Sequence, residues 1–181
     1  MAGGKTTNPN EHRMAEMEAI VVEHQTALLR YATRLLNDPH SAQDVVQQTF
    51  IRLFEMWRDR NYPAMVNLRA WLYRVTHNAA IDHVRAEARR RTLHEKHAAE
   101  LEPGGNGDGA ALGDRKDLVL RNLRALDEKD QQVLLLRLEE GLSYQQIADA
   151  TGRSVGNIGC ILHHAVKKLA ERVRGIGVTT P

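Results

Sequence analysis

Two short helical patterns, separated by a tight break, occupy the stretch Leu142-Ser-Tyr-Gln-Gln-Ile-Ala-Asp-Ala-Thr-Gly-Arg-Ser-Val-Gly-Asn-Ile-Gly-Cys-Ile-Leu-His-His-Ala-Val-Lys-Lys168. Ser143 and Gln146 have the spacing of a capping box at the start of the first helix. Gly152 lies where the chain must turn, because a glycine tolerates a positive φ. Ser154 can cap the second helix, whose inner face would carry Ile158, Ile161, Leu162 and Leu169. This pattern is typical of a helix-turn-helix that binds DNA, and a hairpin of two helices without that function is the alternative.

The composition favours a helical protein of one or two small domains. The chain has 181 residues, of which 42% are apolar and 4% aromatic. Its net charge of +2 is too small to indicate a binding partner, so local clusters of charge must be considered instead. The single cysteine, Cys160, excludes an internal disulfide framework and a cysteine-based metal cluster. No apolar run approaches the ~20 residues needed to span a bilayer. Residues 1–10 lack the apolar segment of a secretory signal, so we expect a cytoplasmic protein with a disordered tail over residues 1–14.

Three helices are predicted before residue 92. The first covers about residues 11–36 and stops ahead of Pro39, which disfavours helical geometry at the preceding residue. The second can be capped by Ser41 and runs to about Trp57. A loop over residues 60–67 separates it from a third helix that runs from Leu68 to about Arg91. Apolar residues recur at helical spacing in the second helix at Val46, Phe50, Leu53 and Trp57.

The third predicted helix carries a stripe of positive charge. At about 100° per residue, its members lie within roughly 60° of one another around the helix. They are Arg74, Asn78, Arg85 and Arg89. Arginines so placed can bind phosphates and an asparagine can hydrogen-bond to a base edge, although cations near a helix end can also merely complement the helix dipole. Together with the helix-turn-helix, the stripe favours nucleic-acid binding.

Residues 92–114 interrupt the helical pattern. Their glycine-rich part, 103–109, buries too little apolar surface to fold and is predicted to be a flexible linker. No apolar strand precedes these glycines and no Gly-Lys-Ser/Thr follows them, which argues against a phosphate-binding loop. A second helical domain is expected over residues 115–174, with a tail over 175–181. The predicted fold is therefore all-α, with helical domains over residues 15–91 and 115–174 joined by the linker.

Three sequence motifs occur in a characteristic order. They are Asp44-Val-Val-Gln-Gln-Thr-Phe50, Trp71-Leu-Tyr-Arg-Val-Thr-His-Asn-Ala-Ala-Ile-Asp-His-Val-Arg85, and Glu140-Gly-Leu-Ser-Tyr-Gln-Gln-Ile-Ala148 followed by Ser154-Val-Gly156. With them the chain resembles bacterial RNA polymerase sigma factors of the sigma-70 family, of the extracytoplasmic-function type, from about residue 20 to 172. The resemblance implies a sigma region 2 domain, a sigma region 4 domain and a non-enzymatic factor. Such a factor binds core polymerase and directs promoter recognition and melting without a metal or cofactor.

The resemblance also implies roles for individual residues. The second helix would bind the clamp helices of polymerase through Asp44, Gln47 and Gln48. The third helix and the loop before it would bind the promoter −10 element, with one base flipped out, through Asn61, Tyr62, Arg74, Asn78, Arg85 and Arg89. The helix-turn-helix would bind the −35 element through Ser154, Asn157, His163, His164, Lys167 and Lys168. A partner that restrains the factor, an anti-sigma factor, is implied as well, without insertion into a membrane.

The chain departs from the family pattern in its charges. Gln48 stands where the family usually has glutamate. The second helix of the helix-turn-helix keeps Lys167 and Lys168, whereas the family commonly has three further basic residues around Gly159, Ile161 and His164. Each lost phosphate contact would flatten the salt dependence of binding by about 0.9 log units per log unit of salt.

Two other functions fit parts of the sequence. A helix-turn-helix regulator with an N-terminal sensing or dimerisation domain is the main alternative, but a sensing domain has no need of the arginine stripe. A helical enzyme with a metal at His94 and His97 would lack acidic ligands arranged around them. Cys160 is expected to face the core or the polymerase.

Overall fold

The protein is built from α-helices in two packed groups. A computed structural model describes residues 9–58, 67–98, 122–123 and 125–175. Over these ranges it has six longer helices and no β-strand, which confirms the all-α prediction. The helices are α1 (Pro9–Leu36), α2 (Pro39–Arg58), α3 (Leu68–Ala98), α4 (Glu128–Leu138), α5 (Tyr144–Thr151) and α6 (Val155–Gly175).

The first group consists of α1, α2 and α3, each of which packs on the other two. Its largest fully buried side chains come from all three helices and include Tyr31, Leu53 and Leu72. Burying an aliphatic side chain of this size stabilises the fold by roughly 1.5–3 kcal/mol. The hydroxyls of Thr49 and Thr76 lie 3.1 Å apart inside this core, which satisfies both polar groups between α2 and α3. The bundle therefore fixes which face of α3 points outward.

The ends of these helices differ from the prediction in three places. The first helix begins at Pro9, because proline suits the first turn and Glu11 complements the helix dipole there. The cap of α2 is Asp38 rather than Ser41, since an Asp38 carboxylate oxygen accepts from the Ser41 amide at 3.0 Å and from its hydroxyl at 2.6 Å. The third helix continues to Ala98 because no glycine or proline interrupts it. Residues 9–14 and 92–98 are thus helical, so α1 and α3 extend into the ranges that the sequence assigned to the tail and the linker.

The second group forms around α4, α5 and α6, which pack on one another. The predicted capping box of Ser143 and Gln146 is present, and Gly152 has a φ of 69°. The Ser154 hydroxyl accepts a hydrogen bond from the Asn157 amide at 3.3 Å, which caps α6. The core of this group includes the fully buried Val133, Leu134, Leu136, Ile147 and Ile158. The helix-turn-helix is therefore formed by α5 and α6 as the sequence predicts.

Several predicted features lie outside the described residues. They are the tail over residues 1–8, the loop with Asn61 and Tyr62, the linker over residues 99–114, the tail over residues 176–181, and the side chains of His94 and His97. In the described ranges, none of the helices has the length and apolar character needed to cross a membrane. The same part of the chain holds no group of His, Cys, Asp or Glu that could bind a metal ion.

Candidate nucleic-acid interface

The outward face of α3 carries the predicted stripe. Arg74, Asn78, Arg85 and Arg89 are all exposed, whereas the opposite face of the helix is buried through residues such as Leu72. From the first to the last of these residues the helix rises about 22 Å at 1.5 Å per residue. Three guanidinium groups and one amide on such a surface can bind successive phosphates and a base edge.

A buried polar pair supports α3 next to Asn78. The His77 Nδ1 atom lies 2.9 Å from the Tyr31 hydroxyl, and both side chains are buried. Burial, and to a smaller extent the positive charge of Arg85, lowers the pKa of His77 to about 4. The ring is therefore neutral at neutral pH, and the approach of its Nε2 atom to a carboxylate oxygen of Glu128 at 3.8 Å is not an ion pair there. The pair joins α1 to α3 and fixes the backbone that carries Asn78.

The three residues of α2 that were predicted to bind polymerase share an exposed surface. Asp44, Gln47 and Gln48 all face solvent. Gln47 also borders an apolar groove of about 580 Å³ between α1 and α2, whose lining includes Phe50 and Phe54. A groove of this kind suits a helix that presents apolar side chains.

The exposed surface of α6 is only weakly basic. Five of the six residues predicted to bind the −35 element face solvent, and within the described ranges none of them forms an ion pair with another helix: Ser154, Asn157, His163, His164 and Lys167. Lys168 differs, because its ammonium group donates to Asp130 at 2.7 Å and to Asp127 at 2.9 Å. These hydrogen bonds raise the pKa of Lys168, so the side chain stays charged but is held by carboxylates of its own domain. The ammonium group is therefore less available to a ligand outside the domain than that of Lys167.

Cys160 is exposed, which excludes the core-facing alternative and leaves the polymerase-facing one as a prediction. It lies about 200° around the helix from Ile158, which is fully buried. Its carbonyl oxygen is 2.8 Å from the Nδ1 atom of His164, one turn further on. The thiol therefore sits on the solvent side of α6.

Two glycines of the helix-turn-helix are expected to respond in opposite ways to alanine. Gly152→Ala should lower the free energy of unfolding by about 1 kcal/mol, because its φ of 69° suits glycine and strains other residues. Gly159→Ala should raise it by about 0.5–1 kcal/mol, since the new methyl would meet only a Tyr144 ring carbon at 3.9 Å and helical glycine is unfavourable. Urea denaturation of both variants measures these changes. If the free energy of unfolding changed in the same direction in both, the different roles given to the two glycines would be contradicted.

The two helical groups touch through a cluster centred on Glu140, just before the helix-turn-helix. The side chain of Glu140 is only 1% exposed. Its carboxylate accepts from the Arg30 guanidinium at 2.8 and 3.1 Å and from the Tyr73 hydroxyl at 2.6 Å. Arg69 donates to the Glu140 backbone oxygen at 2.8 Å. Burial, followed by the hydrogen bond to Glu140, raises the pKa of Tyr73 well above its usual value. We call these four residues the Glu140 contact.

The sequence interpretation missed the Glu140 contact. Glu140 and Tyr73 stand within quoted motifs, but helical periodicity relates only residues of one helix, and Arg30 and Glu140 are 110 positions apart. A second link joins the same two groups: the Arg85 guanidinium donates to a carboxylate oxygen of Glu128 at 3.1 Å. One arginine of the stripe therefore contacts the other helical group, and α5 packs directly on α3.

Comparison with known proteins agrees with this architecture. The protein-family model for sigma-70 region 2 matches residues 20–90, and the family model for sigma-70 region 4 matches residues 116–169. The ECF RNA polymerase sigma factor SigL of Mycobacterium tuberculosis (strain ATCC 25618 / H37Rv) is 32% identical over 91% of this chain and 93% of its own length. The RNA polymerase sigma-E factor of Streptomyces coelicolor is 32% identical over 87% of this chain and 86% of its own.

Two solved structures share the fold. The sigma factor RpoE from Bartonella quintana, in complex with the anti-sigma factor NepR, has a TM-score of 0.64 and 20% identity, covering 88% of this chain and 97% of that one. CnrH in complex with the cytosolic domain of CnrY has a TM-score of 0.63 and 22% identity, covering 90% of each chain. From its paired domain matches and its near full-length relatives, the chain belongs to the sigma-70 family of RNA polymerase sigma factors, in the ECF group, and is a non-enzymatic transcription initiation factor.

Proposed function

We propose that this sigma factor acts in the cytoplasm, binding core polymerase through α2, melting the −10 element through α3 and contacting the −35 element through α6. The observation that carries the proposal is the exposed stripe of Arg74, Asn78, Arg85 and Arg89 on a helix whose other face is fixed in a core. A rigid helix with cations along one side can follow the phosphates of a strand, and its amide can read one base. We also propose that the two domains correspond to residues 15–91 and 115–174. Helices α1 and α3 extend beyond the first of these two ranges.

Polymerase is the proposed partner of the exposed face of α2. Asp44 supplies one negative charge there, and Gln47 and Gln48 supply amides that can donate and accept hydrogen bonds. The apolar groove beside Gln47 adds surface that a clamp helix of polymerase could bury. The polar face would set the orientation of the partner helix, and the groove would supply most of the affinity.

The −35 contact is proposed to be the weaker of the two. With Lys168 held by Asp127 and Asp130, the cation left on the exposed face of α6 among the predicted contacts is Lys167. Two weak contacts combine when both domains are held by the same polymerase, because the second binding event becomes intramolecular. The chain alone should therefore bind duplex promoter DNA poorly.

An anti-sigma factor is a further proposed partner. Both RpoE and CnrH were solved in complex with another protein, NepR in one case and the cytosolic domain of CnrY in the other. We propose that a protein of this kind binds the present chain and holds it inactive. A pull-down with the chain as bait should recover such a protein from its source organism only when polymerase does not already occupy the chain.

In vitro transcription of genomic DNA tests the proposal as a whole. Core polymerase with the purified chain should yield discrete transcripts that core polymerase alone does not, and their start sites would reveal the −10 and −35 sequences. The proposal fails if the chain does not bind core polymerase. It also fails if the chain alone binds a duplex from one of these start sites tightly.

The arginine stripe can be tested with two neighbouring residues. Arg89→Ala should weaken binding of the polymerase complex to such a promoter and make the slope of log affinity against log salt shallower by about 0.7–0.9. Arg90→Ala is the matched control, because it removes the same charge from an exposed position about 100° further around the helix. Fluorescence anisotropy over a salt series measures both, and equal slopes for the two variants would rule out the stripe as the contact surface.

A further inference from the structure

We propose that His164 selects the −35 sequence as a hydrogen-bond acceptor. At the base pair that it contacts, it accepts from the amino group of a cytosine or an adenine and rejects the oxygen and ring-nitrogen acceptors of guanine and thymine. The inference rests on the proposed function of α6. It goes beyond that function because it names the class of base that one residue recognises and the atom that recognises it.

His164 lies on the side of α6 that is free to meet DNA. The helix is packed on its own domain through buried residues such as Ile158 and Ala165, whereas the side chain of His164 is exposed. Asn157, which is also exposed, precedes it by seven residues. Seven residues are close to two full turns, so these two side chains form one row along the helix. In a helix-turn-helix the second helix lies in the major groove, where such a row faces the edges of the bases.

A hydrogen bond within α6 determines which ring nitrogen of His164 carries the proton. The Nδ1 atom lies 2.8 Å from the backbone carbonyl oxygen of Cys160. A carbonyl oxygen can only accept, so Nδ1 must be the donor. In a neutral imidazole one nitrogen donates and the other accepts. The Nε2 atom of His164 therefore keeps a lone pair with which it can accept a hydrogen bond from DNA.

The neighbouring histidine also restricts the ring of His164. The rings of His163 and His164 meet edge to face, with their centroids 5.7 Å apart and their planes at 86°. One contact with the backbone and one with a ring thus orient the side chain before DNA binds. A side chain that is already ordered loses less conformational entropy on binding, so more of the contact is available to distinguish between bases.

The pattern of donors and acceptors in the major groove decides which base suits the Nε2 atom of His164. Cytosine presents its N4 amino group and adenine its N6 amino group, whereas guanine presents O6 and N7 and thymine presents O4, all of them acceptors. Two acceptors that face each other remain unsatisfied, which disfavours guanine and thymine. A phosphate oxygen is an acceptor too, so the neutral ring has no attraction for the DNA backbone through this atom. His164 therefore contributes sequence selection rather than general affinity for DNA.

Selection from a promoter library identifies the base pair that His164 contacts. The −35 element of a promoter used by this sigma factor is randomised, the polymerase complex captures DNA at pH 8, where exposed imidazoles are neutral, and the captured DNA is sequenced. His164→Ala should abolish the preference at one base pair and leave the others unchanged. Val166→Ala is the matched control, because this side chain is exposed about 200° further around α6, and it should keep every preference.

Base analogues then test the amino group itself. Each base pair presents one amino donor in the major groove, which is removed when 2-pyrimidinone replaces cytosine or purine replaces adenine. At the identified base pair this change should weaken binding of the wild-type complex by about 5-fold more than binding of the His164→Ala complex. The comparison cancels the effect of the analogue on base pairing. Equal losses for the two proteins would overturn the proposal.

The proton on the ring can be located without DNA. Long-range ¹H–¹⁵N correlation spectra of the full chain at pH 8 distinguish a protonated ring nitrogen from an unprotonated one. The signals of His164 are those that disappear in His164→Ala. They should show a proton on Nδ1 and none on Nε2, and the reverse arrangement would overturn the proposal.

The library also separates this inference from the proposed function of α6. If the wild-type complex shows preferences in the −35 element and His164→Ala keeps all of them, α6 reads the promoter but His164 does not select a base, and the inference alone is refuted. If the wild-type complex shows no preference anywhere in the −35 element, the function assigned to α6 is itself wrong.

Discussion

Replacing Asn78 with alanine is expected to reduce transcription from the promoters of this sigma factor by roughly 5- to 150-fold, the equivalent of the 1–3 kcal/mol that a bidentate contact to a base contributes. Asn78 is the amide of the stripe, and it follows directly after His77, whose buried ring fixes α3 against α1. The alanine variant keeps the charges of the stripe, so the loss should appear in base reading and strand opening. The measurement is run-off transcription with core polymerase.

Two controls decide what a loss of transcription means. Binding of the Asn78→Ala chain to core polymerase should equal that of the wild type, because the proposed polymerase surface is on α2. Glu87→Ala, an exposed position about 190° from the centre of the stripe, should transcribe normally. Promoter opening by Asn78→Ala at the wild-type level would show that this residue is not the base contact.

The stability of the protein is expected to fall steeply below pH 6.5 because of His77. Its pKa is lowered to about 4 in the folded state, mainly by burial, from the ordinary 6.5 that applies when the chain is unfolded. Between these values the unfolded chain takes up a proton that the folded chain does not, so stability is full above pH 6.5 and is lost as the pH falls towards 4. At about 1.4 kcal/mol per pKa unit, the loss reaches about 3 kcal/mol.

His77→Gln isolates this effect. Charged and titratable groups that approach the ring, namely Tyr31 on α1, Arg85 on α3 and Glu128 on α4, remain in the variant. Urea denaturation at several pH values should show that wild-type stability falls by up to about 3 kcal/mol more than that of the variant between pH 6.5 and 4. Parallel curves for the two proteins would mean that the histidine is not the group responsible.

Local sequence rules sufficed for the helix-turn-helix. The capping box of Ser143 and the positive φ of Gly152 depend on residues at most a few positions away, and so does the cap at Ser154. The same rules placed the cap of α2 at Ser41 instead of Asp38, because both side chains can accept a hydrogen bond from a backbone amide at a helix start. The carboxylate of Asp38 accepts from two backbone amides as well as from the Ser41 hydroxyl, and so it is the stronger cap.

Long-range pairing accounts for most of what the sequence interpretation missed. Lys168 was predicted to bind DNA because it is a cation on the second helix of the helix-turn-helix, yet Asp130, 38 positions earlier, holds it. Likewise, nothing near Glu140 in the sequence indicates that Arg30 and Tyr73 will surround it. Helical periodicity tells which face of a helix is apolar, but it does not tell which polar residues of another helix will meet that face.

The open space beside Gly159 bears on how this protein could acquire new promoter preferences. A side chain added there would meet only the edge of the Tyr144 ring, and one added at Gly156 would meet nothing within 4 Å. Folding of the domain therefore places little constraint on either position. In the function we propose for α6, however, the DNA sequence that the helix recognises depends on the side chains at these two positions. Gene duplicates could diverge in regulon, and synthetic orthogonal variants could be selected, by changing these two codons while the scaffold stays intact.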